Sequence, residues 1–473
     1  MPELTEYDLV IVGCGAAGLS AAVTFSRQAS TLKRPAKIAV LERSTKEKRG
    51  GATRWTGAFL RISENREIDP NWIKQMQEVS KGKADLDYCK TLVREAPSSL
   101  KFIEDLGVEL LFDRFPLAHS FGDGKPGMVP PGRPNGGGAA IVEALAGVLE
   151  ENEHVHFHYE TEAVKLTVSD AGAVNGVTVR GPSGLLETLR ARSVLLACGG
   201  FEGNQETLTR YLGDRAWELP LIAPGIANNR GDGLRMALEL GADTAGQFDM
   251  IHAEPVDARS SAADAVLYGY PGGIFLNEHY ERFFDEGRNT WDNTFEHVGY
   301  EIWKNQNQRA YWIADAKTLS VPGIEYSMLS DVPPVQANTL AELAAKLELD
   351  GDKLQTAIHA FNAATQPGTL DFERMDGKHT VGIFPPKSNW ATPLDTAPFV
   401  GIPLTAAICF TYGGLRTDVD ARVVAPSGVP IPNLYAAGEV TGLYYGEYPP
   451  ATSVLRSLTF GRIAGSHAAN ALF

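Results

Sequence analysis

The sequence predicts an α/β fold, a Rossmann-like nucleotide-binding domain with an inserted α+β domain, on three observations. An apolar run, Tyr7 to Val12, breaks at a glycine turn and continues into the small, apolar stretch Leu19 to Phe25. Apolar strands that run into glycine recur at Ser193 to Ala197 and at Leu434 to Ala437. From about Gly246 the pattern changes to aromatic and charged loops with isolated strands and a helical pair, and beyond Pro398 the glycine-punctuated strands return. The expected organisation is therefore residues 1–244 and 396–473 as two parts of one domain, with 245–395 inserted between them.

The first element reads strand, turn, helix. Its turn, Gly13-Cys14-Gly15-Ala16-Ala17-Gly18, has the spacing that brings backbone N–H groups at a helix N-terminus against a pyrophosphate. Gly13 allows the turn, Gly15 the close approach and Gly18 the contact of helix with strand. The next strand, Lys37 to Leu41, ends in Glu42, where a carboxylate at a strand tip accepts hydrogen bonds from both hydroxyls of a ribose. Behind it, Arg49-Gly50-Gly51-Ala52-Thr53-Arg54-Trp55-Thr56-Gly57 is a loop of glycines and hydroxyls placed to wrap a cofactor.

Helical spacing follows at Trp72 to Val79 and Tyr88 to Leu106. The Gly- and Pro-rich stretch Gly122 to Gly138 holds Arg133 and is expected to be irregular, a hinge or wall ahead of a helix at Ala139 to Leu149. His154, His156 and His158 alternate on one strand face. Adjacent positions along one strand rarely converge on a single ion, and no metal is expected there or elsewhere. Strands at Ala163 to Val168 and Gly176 to Val179 precede Ala197-Cys198-Gly199-Gly200, and Asn229-Arg230-Gly231-Asp232-Gly233 opens a helix at Leu234 to Leu240. The helical pair is placed near Thr339 to Lys346 and Lys353 to Ala364, and the chain closes on a small-residue helix, Thr459 to Leu472.

A formal net charge of −15 argues against binding nucleic acid or an anionic membrane, and makes any anionic substrate depend on a local group of basic residues. No apolar segment is long enough to cross a bilayer and no secretory signal is visible, so a cytoplasmic setting is expected. The four cysteines are widely spaced and read as reduced, structural thiols.

A single GxGxxG loop implies one bound dinucleotide. Together with Gly50-Gly51, Ala197 to Phe201, Gly231-Asp232-Gly233, Gly273 to Asn277 with Arg282-Phe283, Ala436 to Val440 and Thr459-Phe460-Gly461-Arg462, the chain resembles the flavoproteins of the succinate dehydrogenase/fumarate reductase group along nearly its whole length. The resemblance implies non-covalent FAD, an FAD-binding domain and a cap that closes over the flavin as the substrate domain. Beyond the residues already named, it implies cofactor contacts from Arg43, Ala52, Thr56, Gly57, Val164, Ala197, Gly199, Gly200, Asn204, Gly231 and Asp232. Late in the chain it adds Tyr412, Gly413, Gly438, Glu439, Ser453 and Leu455.

Two departures bear on the substrate. The family's His-Thr-Met-Gly-Gly loop reads Phe410-Thr411-Tyr412-Gly413-Gly414 here, and its late Asn-Arg motif is replaced by Glu447-Tyr448-Pro449-Pro450. Within the group the chain is most similar to tricarballylate dehydrogenases, through Arg49 to Arg54 with Arg61, the triple glycine before Ala139, Pro385 to Trp390 and Gly442 to Gly446. That likeness implies dehydrogenation of a small di- or tricarboxylate, clamped by some of Arg54, Arg61, Arg133, Arg282 and Arg288, with His252 and Tyr412 nearby. Hydride would pass to the flavin and the proton to a protein group, with Tyr448, Arg282 and Glu286 as candidates. A second likeness, to 3-ketosteroid dehydrogenases through Tyr448-Pro449, implies instead a tyrosine that polarises a ketone. A flavin-fold scaffold without catalysis is the third reading. The electron acceptor is open among an iron–sulfur partner at a membrane, a quinone, a soluble carrier and oxygen.

Overall fold

The computed structural model describes residues 6–32, 34–63, 65–69, 71–112, 115–119 and 132–472. Of the expected irregular stretch Gly122 to Gly138, residues 122–131 lie outside the described residues. The strand Glu6–Val12 pairs in parallel with Ile38–Leu41 on one side and Leu186–Leu196 on the other. Val155–His158 and Pro430–Ala436 extend the parallel core at its two edges, and Arg422–Val424, Glu162–Val168 and Val174–Arg180 add antiparallel strands, giving an eight-stranded sheet. Ile38–Leu41 is buried throughout, which is why it reads as an unbroken apolar run rather than an alternating one.

On one face the helix Ala16–Thr31 packs against Ser453–Leu472. Their closeness is set by two glycines of the later helix. A Cβ on Gly461 would lie 2.3 Å from the Ala17 carbonyl oxygen, and one on Gly465 2.4 Å from that of Ala21. This last helix starts six residues before the expected Thr459, and Val454, Leu455 and Leu458 of the added turns are buried in the core.

The second sheet is antiparallel and five-stranded: Ile251–Asp257, Phe399–Thr411, Ala310–Ala314 and Ile274–Asn277 in order, with Val335–Ala337 also on Phe399–Thr411. The helix Phe295–Asn305 packs on its first two strands, where Gly299 admits the Ala253 backbone. The helical pair Leu340–Lys346 and Gly351–Ala364 forms a core of its own, with Leu343, Leu354, Ile358 and Phe361 against Ile274 and Ile313. Thr339 and Asp350 cap these helices through their side-chain oxygens. Phe399–Thr411, which the sequence boundaries place in the third segment, is bonded along its length to strands of this second sheet, and its far end reaches the first domain, where the Thr411 N–H donates to Glu439 at 3.0 Å.

Among the described residues no helix is long and apolar enough to cross a membrane.

Candidate cofactor and substrate site

A cleft runs along the carboxyl ends of the parallel strands and on into the second sheet. That is where an open α/β sheet binds its ligands. At its floor Gly13 holds φ +113°, and a Cβ there would lie 2.2 Å from the Ala197 carbonyl oxygen. Gly18 is equally constrained, since its Cβ would meet the Gly13 carbonyl oxygen at 2.1 Å. Gly15 differs: it has ordinary extended geometry, and its nearest neighbours would be 3.5 Å away. Gly13 and Gly18 thus shape the turn, while Gly15 keeps the surface before the helix bare. The Ala16 N–H donates to Thr53 Oγ1 at 3.1 Å, tying the helix start to the Gly50–Thr53 turn.

Glu42 stands buried at the end of its strand, with Oε1 accepting the Ser44 N–H at 2.8 Å. Burial raises its pKa, against the pull of backbone N–H groups of Ser44, Gly50 and Arg43. Arg43 donates to Asn228 O at 2.9 Å, to Asp232 at 2.6 Å and to Glu162 at 3.2 Å, linking the turn Pro224–Asn228 to the start of the helix Asp232–Leu238 and of the strand Glu162–Val168. The bare glycine surface at a helix N-terminus, followed by a strand-tip carboxylate, fits the pyrophosphate and ribose of an extended dinucleotide.

Of the expected cofactor residues, Gly13, Gly15, Ala16, Ala17, Glu42, Arg43, Gly50, Gly51, Ala52, Thr53 and Thr56 line the cleft, as do Ala197, Gly199, Asp232, Gly438, Glu439 and Ser453. The others lie behind this surface. Gly57 donates its N–H to Asp264, the Val164 carbonyl accepts from Arg235, and Asn204 caps the helix Gln205–Leu212. Gly200 admits Thr411 and Glu439, Gly231 turns ahead of Asp232–Leu238, Gly413 abuts the Phe248 ring, and Leu455 is in the core.

The half of the cleft against the second sheet is lined by Phe59, Tyr268, Trp291, Phe295, Phe410 and Tyr448, with His252, Glu254 and Asp264 among them. Tyr448 packs edge-on to Phe410 with centroids 4.9 Å apart. Its hydroxyl oxygen accepts the Thr452 N–H at 2.8 Å and the Ser453 N–H at 2.9 Å, which occupies both lone pairs. The hydroxyl proton is left for a further acceptor.

His252 Nδ1 lies 2.6 Å from Glu296 Oε2 and its Nε2 3.0 Å from Glu254 Oε1. Burial disfavours the charged imidazole, but the two carboxylates outweigh it and raise the pKa to about 9, so the ring is an imidazolium that donates from both nitrogens. Glu296 also accepts from the Tyr412 hydroxyl at 2.5 Å and from the Tyr448 N–H at 3.3 Å. Tyr412 is therefore a buried prop for Glu296 rather than part of the lining. His252, Glu254 and Cys409 bring potential ligand atoms within 4.8 Å of one another. Both imidazole nitrogens are already hydrogen-bonded, and burial pushes the Cys409 thiol well up. His156 and His158 each meet the Tyr7 hydroxyl at 3.2 Å.

The expected arginine clamp is not assembled at this cleft: none of Arg54, Arg61, Arg133, Arg282 and Arg288 is among its lining residues. Arg54 pairs with Glu143 at 2.6 Å, and buried Arg61 with Asp69 at 2.7 Å. Arg133 bridges to the Leu111 backbone, and exposed Arg288 stacks on Phe284. Arg282 donates to Pro385 O, Phe284 O and Glu286, while the other Glu286 oxygen accepts the Phe275 N–H. The Arg282–Glu286 pair therefore fastens the Pro385–Pro386 segment to the second sheet.

The sequence did not point to Glu254, Asp264, Glu296 or Arg456, the last a buried lining residue that donates to the Thr441 carbonyl at 3.0 Å. Glu254 was within reach, being two residues beyond His252 on one strand face. Asp264 and Glu296 arrive from elsewhere in the insertion, and nothing local marks them.

A family model described as FAD binding domain matches residues 8–454. The chain is 26% identical to 4-oxocyclohexanecarboxylate 2-dehydrogenase of Sinomonas cyclohexanicum, over 98% of this chain and 92% of that one. It is 31% identical to 3-oxosteroid 1-dehydrogenase of Mycobacterium tuberculosis over 63% of this chain and 57% of that one. Its fold is shared with the open conformation of a flavocytochrome c3 fumarate reductase, at a TM-score of 0.79 and 22% identity, covering 100% of this chain and 79% of the other.

Proposed function

This chain belongs to the FAD binding domain family, and on that premise we propose that it oxidises or reduces a carbon–carbon bond next to a carbonyl group held by Tyr448. It is an FAD-dependent oxidoreductase acting on CH–CH groups, akin to fumarate reductases and 3-oxosteroid dehydrogenases. The residues that would hold FAD are those of the Gly13 to Ala17 turn, Glu42, the Gly50 to Thr53 turn, Glu439 and the start of the helix at Ser453. When bound, FAD supplies the two-electron partner for the carbon–carbon bond.

One observation carries the substrate reading: the Tyr448 hydroxyl already accepts two backbone N–H bonds, so its remaining capacity is to donate into the cleft. A donor fixed in this way strengthens its bond as charge builds on a carbonyl oxygen, and it needs no reorganisation to do so. The aromatic walls suit an uncharged ring or chain. The carboxyl groups of Glu254 and Asp264 beside His252 disfavour a polyanion, as does the bulk charge, and the lining arginines Arg43 and Arg456 are bonded to protein groups, Arg43 to Asp232 and Glu162 and Arg456 to the Thr441 carbonyl. The relatives named for ketones support the same reading. His252, whose ring is 4.9 Å from that of Tyr448, buttresses it.

The division into 1–244, 245–395 and 396–473, a cytoplasmic setting and an electron acceptor still to be identified belong to the same proposal. The test is anaerobic mixing of the FAD-loaded protein with cyclic ketones, 3-ketosteroids, and di- and tricarboxylates including tricarballylate. Ketones should bleach the flavin, and Tyr448→Phe should slow the bleaching about 100-fold or more while the protein stays yellow. Bleaching by tricarballylate alone would reverse the choice of substrate.

A further inference from the structure

We propose that Asp264 is the acid–base group of this site, taking the proton from the carbon next to the carbonyl in dehydrogenation and returning it in reduction. The inference rests on the reading that Tyr448 holds a carbonyl in the cleft. Asp264 lines the same space as Tyr448, Phe410 and Trp291, and it is half-buried, its open side facing that space. Its Oδ2 accepts the Gly57 N–H at 3.1 Å, which orients the carboxyl, and Oδ1 has no hydrogen-bond partner among the described residues. The backbone is held in the left-handed region, φ 61°, by bonds from its N–H to Ile222 O at 3.1 Å and from the Val266 N–H to its own carbonyl at 2.8 Å. A non-glycine residue persists there only where its surroundings over-determine it.

Among the other candidates, Arg282 and Glu286 bind backbone away from the cleft. Glu254 is ion-paired with the His252 imidazolium through Oε1, with its Oε2 buried and without a hydrogen-bond partner among the described residues, whereas Asp264 orients its carboxyl on a neutral N–H. The Tyr448 oxygen has no lone pair left to accept a proton.

The titratable groups facing Asp264 are Glu254 and His252 from the strand Ile251–Asp257, Cys409 from Phe399–Thr411, and Tyr268. Burial and Glu254 raise its pKa, while the Gly57 N–H and His252 lower it, and the balance stands at about 7. Both protonation states are then populated near neutrality, which suits a group that works in both directions.

In dehydrogenation the Cα–H bond breaks and its proton passes to Oδ1. The electron pair left behind forms the new C=C bond as the β-hydrogen departs with its own pair as hydride to oxidised FAD. Reduction runs each transfer in reverse.

The test compares FAD-loaded wild type, Asp264→Asn and Asp264→Glu, with cyclohexanone deuterated at its α-carbons and a 3-ketosteroid as probes. Loss of α-deuterium to solvent is followed by mass spectrometry, bleaching by stopped flow from pH 5.5 to 9, and ketone binding by perturbation of the flavin spectrum. The expected result is that Asp264→Asn keeps FAD and binds ketone but loses about 100-fold or more in both exchange and bleaching. Bleaching by wild type should rise with pH through about 7, as a base must first lose its proton, and this limb should vanish in the variant. Wild-type exchange and an unchanged pH profile in Asp264→Asn would overturn the assignment. Should Asp264→Asn lose FAD, Asp264→Glu decides, because a relocated carboxyl must shift the pH profile and an unshifted one overturns the proposal. A yellow wild type that neither exchanges nor bleaches with any ketone would instead sink the Tyr448 reading, and this assignment with it.

Discussion

At the scale of the residue, the glycines of the first turn do different work, and substitutions should separate them. Gly15→Val has room for its Cβ against the protein, with the nearest atoms at 3.5 Å, but its side chain enters the cleft. The purified variant should be folded and colourless. Gly18→Ala instead drives a Cβ to 2.1 Å from a backbone carbonyl, and should lower stability by about 1–3 kcal/mol, read as a drop in apoprotein denaturation midpoint. A yellow, fully loaded Gly15→Val would contradict the cofactor placement.

His252 gives a second residue-level prediction. Its folded pKa, about 9, lies above the ordinary value of 6.5. Its contribution, on the order of 3 kcal/mol, is therefore fully present below about pH 6.5 and lost as pH rises through about 9. Thermal melts between pH 6 and 10 should show that decline, and His252→Gln should flatten it. The sequence offered His252 as a site residue but not the reason, because Glu296 is supplied by a helix forty-four residues away.

At the scale of the element, the strand–turn–helix at the start was legible in full, since its apolar run, glycine spacing and strand-tip Glu42 are all local. The helix Trp72–Val79 has the expected bounds, and the helical pair in the insertion was readable from its spacing and caps. The eleven-residue strand Leu186–Leu196 was visible only at its buried end, as its first half alternates with exposed positions. Phe399–Thr411 was harder, because its pairing with Ile251–Asp257 joins segments far apart in sequence. The contact of the helices Ala16–Thr31 and Ser453–Leu472 depends on Gly461, whose Cβ would lie 2.3 Å from the Ala17 oxygen. Gly461→Val should part the helices and displace the helix starts that flank the cofactor cleft, lowering both the melting temperature and FAD retention. Retention at the wild-type level would show that this close approach is dispensable.

At the scale of the whole molecule, the two sheets divide the labour: the parallel sheet offers the glycine turns and Glu42, and the antiparallel sheet brings His252, Glu254 and Phe410 over them. The fold and cofactor were legible because glycine turns announce themselves by spacing. The substrate half was not, because an arginine's place in a motif does not reveal whether it faces a cleft. Arg61 and Arg282 are tied instead to Asp69 and Glu286, eight and four residues further along the chain. The central claim, that Tyr448 presents its hydroxyl to a carbonyl beside the bond that reacts, is tested most directly by anaerobic stopped-flow bleaching of the FAD-loaded enzyme with a cyclic ketone, in wild type and Tyr448→Phe. The account predicts rapid bleaching by wild type and a loss of about 100-fold or more in the variant at unchanged flavin content. Equal rates in the two proteins would contradict it.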